Sequence, residues 1–223
     1  MGTLHRYRPT LGMAQADRTE ANYATKILEW LHSIEDLLTT VATITYTDKG
    51  CVLNPTFENI SGKQVSIEVS GTNLAIGYST GNQSPAWSTS SIALLNDPYI
   101  CVVSDTDMIS VGVGERSVIT TITKGTYYDG TECGVLFGST GTTFDWFITN
   151  AARYDYSSSG SGRDCQNKSS AYCVKQFTCY GAGIIANHVM YLDGGMGLPG
   201  TGQIFTLNDD TYIMYQQNFA LKV

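Results

Sequence analysis

The chain has 223 residues, a formal net charge of −7 and only 15% charged residues against 42% hydrophobic ones. Low charge with ample apolar content excludes a disordered chain. The 13 scattered Lys and Arg exclude the basic stripe a nucleic-acid groove needs to displace counterions, so no nucleic-acid partner is expected. With 23 Gly, 14 Tyr and abundant Thr and Ser, the composition is that of an antiparallel β protein, since Thr and Tyr suit half-buried pleated surfaces.

Residues 1–18 carry Pro9 and Gly12 without a hydrophobic period and are expected to form an extended arm. His5, Arg6 and Arg8 cluster within it, as a solvated tail or a contact for an acidic partner. No apolar leader and no stretch of membrane-spanning length is seen, so no membrane partner is expected.

Asp17-x-x-Glu20 has the spacing of a capping box, in which each side chain satisfies an orphan N–H of the first turn. It opens an amphipathic helix predicted over 19–41. Ile27, Leu31, Ile34, Leu38 and Val41 recur at alternating steps of four and three, the spacing of a coiled-coil seam. Leu28, Trp30 and Leu37 widen that stripe, which must be buried against the chain's own sheet or against another subunit. On the second alternative, Ile27, Trp30, Leu31, Ile34, Leu38 and Val41 form an assembly interface.

From residue 42 onward the pattern is a succession of short strands at roughly ten-residue spacing, the signature of a sandwich or barrel. Val65, Ile67 and Val69 alternate within Gln64–Ser70, and Met108–Val113 and Ser117–Thr123 pair around Gly114. Asp129-Gly130 is the strongest hairpin signal. The Ser/Gly tract 157–162 is read as a surface loop within one β domain (42–223), with a subdomain boundary as the alternative. Tyr154, Tyr156 and Ser159 beside it are the candidate contact loop for a glycan or protein. The fold class expected is mainly β: an antiparallel sandwich or barrel-like domain preceded by one amphipathic helix.

Chemistry leaves few marks. Neither Gly138-Ser139-Thr140-Gly141 nor Ser159-Gly160-Ser161-Gly162 gives a nucleophile elbow, and the Gly-rich segment 194–200 lacks the Lys-Ser/Thr end of a phosphate loop. His188, the one histidine on a β element, reads as a structural side chain rather than a base. Asp105-Thr106-Asp107 and Asp209-Asp210 read as turn acids that fall short of a calcium loop. Cys51, Cys101 and Cys133 read as core thiols. Cys165, Cys173 and Cys179 lack the Cys-x2-Cys spacing of a zinc site and are weighed as free thiols, a late disulfide or a metal site. No enzyme activity, cofactor or metal is expected.

The closing segment, Gly202 to Tyr215 followed by Phe219-Ala220-Leu221-Lys222-Val223, resembles the C-terminal ends of tailed-bacteriophage virion proteins. These finish with a Phe-x-hydrophobic hairpin and a terminal Ala-Leu-basic-hydrophobic strand. The resemblance implies a structural subunit of tail, neck, collar or capsid surface. It would be made in the host cytoplasm and carried in the virion, forming a homo-oligomer and contacting other virion proteins, with Phe219 and Leu221 at the assembly interface. A receptor-binding module that touches a host receptor or glycan is the alternative, and a virion-associated hydrolase a weaker one.

Overall fold

Alternation in Gln64–Ser70 becomes a strand whose Val65, Ile67 and Val69 are all buried. The same period-two logic organises most of the chain. The computed structural model describes residues 2–7, 13–79, 90–94, 100–113, 118–139, 145–149, 152–155, 173–179, 183–193, 203–207, 209–216 and 219–223. The chain is mainly β, with one substantial helix near the N-terminus.

A five-stranded antiparallel meander comprises β2 (Ala42–Tyr46), β3 (Gly50–Pro55), β4 (Gln64–Ser70), β5 (Asn73–Ser79) and β6 (Ser90–Ala93). The larger sheet contains β1 (Thr3–Tyr7), β7 (Ile100–Asp105), β8 (Met108–Val113), β9 (Val118–Tyr127), β10 (Glu132–Ser139), β11 (Asp145–Thr149) and β12 (Ala152–Asp155). It continues with β13 (Cys173–Cys179), β14 (Ile184–Asp193), β15 (Ile204–Leu207), β16 (Asp210–Gln216) and β17 (Phe219–Lys222). Its main path runs β1-β7-β8-β9-β14-β17-β16-β15, and the sheet curls into a half-barrel.

Within the segment expected to be an extended arm, Thr3–Tyr7 is a strand of the large sheet. Thr3–Tyr7 pairs antiparallel with β7, Leu4 opposite Val103. Leu4 packs on the interior of the curled sheet, and Gly2 lies so close to Val103 and Met108 that a β-carbon there would touch both side chains. A five-residue strand with a single aliphatic side chain is too short to show a period, which is why the sequence pattern misses it.

The helix is also corrected. Thr19, not Asp17, is its N-cap, accepting from the Asn22 N–H, while Asp17 lies in a preceding 3-10 turn. The helix divides at Ile34 (φ −119°, ψ 15°) into α1 (Glu20–Ser33) and α2 (Glu35–Leu38). The Ser33 hydroxyl bonds the Trp30 carbonyl at 2.6 Å, a local bond that competes with helix continuation.

Two core clusters explain the layering. Ile27, Leu31, Ile34, Leu38 and Val41 join Val65, Ile67 and Val69 from the meander and Val102, Ile109, Val111, Ile122 and Leu136 from the curled sheet. The opposite face of that sheet supplies Val103, Met108, Val135, Phe137, Val189, Ile213 and Leu221 to a second cluster. Neighbours such as Val102 and Val103, or Leu136 and Phe137, therefore serve different cores. Strands β7, β8 and β10 are buried on both faces and read as near-continuous apolar runs.

The stripe proposed as an assembly interface is thus spent inside the chain. Ile27, Trp30, Leu31, Ile34, Leu38 and Val41 are all buried in its own core, and so is Leu221. Side chains with at most 7% of their surface exposed have little to give to a partner subunit.

Candidate functional site

The β7–β8 hairpin is as tight as the fold allows: Asp105 pairs with Met108, leaving Thr106 and Asp107 as a two-residue turn. The Asp105 carboxylate accepts from the Thr106 N–H at 2.7 Å, the local bond that suits Asp to such corners. The turn folds back on β9. The Asp107 carbonyl accepts from the Lys124 N–H at 2.9 Å and from the Thr123 hydroxyl at 3.5 Å.

A break in regular pairing meets this turn. Along one edge, β14 pairs with β9 through Ile184–Ala186 and then with β17 through Val189–Tyr191. Along its other edge, Phe177 faces Ala186 but Gln176 faces Met190, so the residues between Ala186 and Met190 bulge. Bulges re-aim side chains and recur beside functional sites. Here Val189 stays in the core, the Asn187 Oδ1 accepts from the Thr126 hydroxyl at 3.4 Å, and His188 reaches the hairpin turn.

His188 Nε2 lies 2.5 Å from Asp107 Oδ1, across 81 positions of sequence. The imidazole is 13% exposed and the Asp107 side chain 31% exposed. The candidate ligand atoms of Asp105, Asp107 and His188 all fall within 4.8 Å of one another. Two carboxylates and an imidazole can hold an imidazolium by charge-assisted bonding or coordinate a divalent cation.

A groove of about 430 Å³ opens elsewhere, lined by Phe57, Glu58, Asn59, Glu132 and Cys133. Its two acids do not form a hydrolytic pair of the buried-acid type. Glu132 is ion-paired with Lys124 and its side chain is 70% exposed, so it lies in solvent rather than in an apolar pocket. The Cys133 thiol is pushed up to about 11 by burial, away from a nucleophile's range. Cys51 and Cys133 are free thiols.

Of the other expected site residues, Tyr154 belongs to strand β12 rather than a loop, paired with Phe147 of β11. Tyr156 and Ser159 lie outside the described residues, as does the Ser/Gly tract. Phe219 lies in β17, where it pairs with Tyr191 of β14 and Gln216 of β16. The Asp105–Asp107–His188 group escapes sequence reasoning because nothing local couples a turn at 105–107 to a bulge at 188. The available signal is an Asp-x-Asp hairpin corner together with a histidine on a strand, and His188 is not alone in that, since His5 lies on β1.

Among the described residues, no helix is long and apolar enough to cross a membrane. No family model, curated protein or solved structure matches the chain.

Proposed function

We propose that the chain is a structural subunit of a tailed-phage virion, of the tail, neck, collar or capsid surface, that works by assembling with copies of itself and with other virion proteins. The observation that carries this reading is the closing hairpin. β15 ends the strand order of the large sheet, and Ile204 on it is 43% exposed, beside an exposed Thr206. Edge strands present main-chain donors and acceptors, and in natural proteins they are either guarded or used for pairing. A β15 edge that carries Ile204 suits pairing with the next subunit. The segment is also the one whose sequence resembles virion protein ends, and its hairpin and final strand are the elements that the resemblance implies.

The helix no longer contributes to this reading, because its stripe is internal. Assembly is assigned to sheet edges instead.

Light scattering of the purified chain over a concentration series tests the assembly. A discrete oligomer that Ile204→Lys with Thr206→Lys converts to monomer, with an unchanged far-ultraviolet spectrum, supports it. A monomer at every concentration removes it. Mass spectrometry of purified virions tests the location separately: absence of peptides from this chain overturns the virion assignment.

A further inference from the structure

We propose that Asp105, Asp107 and His188 form a binding site for one divalent cation of the zinc class, which ties the β7–β8 turn to the bulge of β14. The proposal stands apart from the virion reading and uses none of its observations.

Three features carry it. The ligand atoms lie within 4.8 Å of one another although they come from two elements far apart in sequence. Oxygen and nitrogen ligands about 2.0–2.2 Å from one zinc ion stand roughly 3.4 Å apart, so Asp107 and His188, now in direct contact, would part to admit the ion, and the widest gap in the group would narrow. The set is also chemically mixed. Carboxylate oxygens alone suit calcium or magnesium, whereas an added imidazole shifts preference toward zinc and its neighbours.

The backbone is prearranged as well. The Asp107 carbonyl is fixed by Lys124, the Asp105 carboxylate is oriented by the Thr106 N–H, and His188 is aimed by a bulge rather than a regular strand. A bulge costs regular pairing, and here it carries a histidine that contacts the Asp107 carboxylate and lies near that of Asp105. Both aspartates and the imidazole retain some exposure, which leaves an entry path and room for water to complete the coordination. The ion would compete with the contacts that Asp105 and His188 already make, so affinity in the micromolar range rather than tighter is expected.

The test is titration of the full chain, stripped with a chelator, with zinc, manganese, calcium or magnesium chloride, followed by calorimetry and by thermal unfolding. Zinc is expected to bind once per chain and raise the melting temperature by several degrees. Asp105→Asn keeps the Asp107–His188 contact, so it should fold, and it should weaken zinc binding at least tenfold. His188→Ala should abolish the melting shift, while His32→Ala, which removes an exposed histidine elsewhere, should leave it intact. Absence of zinc binding below 100 μM, or equal binding by wild type and Asp105→Asn, overturns the site. Binding of calcium in preference to zinc overturns the assigned metal class.

Discussion

The side chain of Asn59 stands in for a missing strand beside Gly134. Its amide donates to the Gly134 carbonyl at 2.8 Å, and its carbonyl accepts from the Gly134 N–H at 2.6 Å. Strand β11 pairs with β10 only from Leu136 onward, so Gly134 lies beyond its reach. One planar amide thus supplies both the donor and the acceptor that a neighbouring backbone would. The ring of Phe57 lies against Gly134 so closely that any β-carbon there would overlap it.

Asn59→Asp should therefore be costly, because a carboxylate cannot donate to the Gly134 carbonyl. A buried acceptor left unsatisfied costs about 1–3 kcal/mol. Urea denaturation of Asn59→Asp and of Gly134→Ala checks this. Equal stability of either variant with wild type would show that the turn re-forms without the pairing.

Leu31 and Leu38 are fully buried in the core cluster to which both sheets contribute. Leu31→Ala should lose about 2–5 kcal/mol, the usual range for emptying such a site. Leu31→Asp with Leu38→Asp should unfold the chain rather than dissociate an oligomer. A dichroism spectrum that keeps its β signal in the double variant would return the helix to the role of a subunit interface.

Burial pushes the Cys51 thiol up to about 12, the negative charge of Glu68 adding to the effect. Unfolding restores it toward its ordinary value near 9, so above that pH the unfolded chain sheds a proton that the folded chain keeps. Stability is present in full below pH 9 and falls as pH rises toward 12, by about 1.4 kcal/mol per pH unit for a fully buried thiol. Comparing the alkaline denaturation of wild type and Cys51→Ala measures the difference. Parallel pH profiles would refute it.

Glu20 joins three elements: it pairs with Lys49 before β3 and accepts from the Gly71 N–H at 2.6 Å in the β4–β5 turn. Lys49 first, and then the Gly71 N–H, hold its carboxyl below the ordinary 4.5. The stability it contributes is present above pH 4.5 and is lost as pH falls through the lower folded value. Glu20→Gln should flatten the acid limb of the stability profile, and 1 M salt should do so in part, since the pair is exposed. An acid limb identical in Glu20→Gln would refute this.

Strands with strong alternation or a stereotyped turn were legible in the sequence. Met108–Val113 and Gln64–Ser70 form at the expected residues. Asp129-Gly130 closes its hairpin with Gly130 at φ 90° and the Asp129 carboxylate on the Thr131 N–H. The heptad spacing found the buried face of the helix but not its partner, because a stripe looks the same whether it meets a sheet or another subunit. Thr3–Tyr7 and Ala152–Asp155 become strands through neighbours far along the chain, which no local pattern records. The same holds for the meeting of His188 with Asp107: the turn propensity of Asp107 was visible, and its place against β14 was not.

Strand β17 lies between β14 and β16 in the sheet order. Residues 219–222 must therefore emerge from the ribosome before 204–216 can join the rest of their sheet. Until then β14 has no neighbour along the Val189–Tyr191 edge, and residues 3–7 have already waited for the synthesis of β7. Pairings of such long sequence separation form slowly and leave apolar strands open to misassociation. Translation speed and chaperone supply, more than equilibrium stability, should therefore set the yield of correctly folded chain.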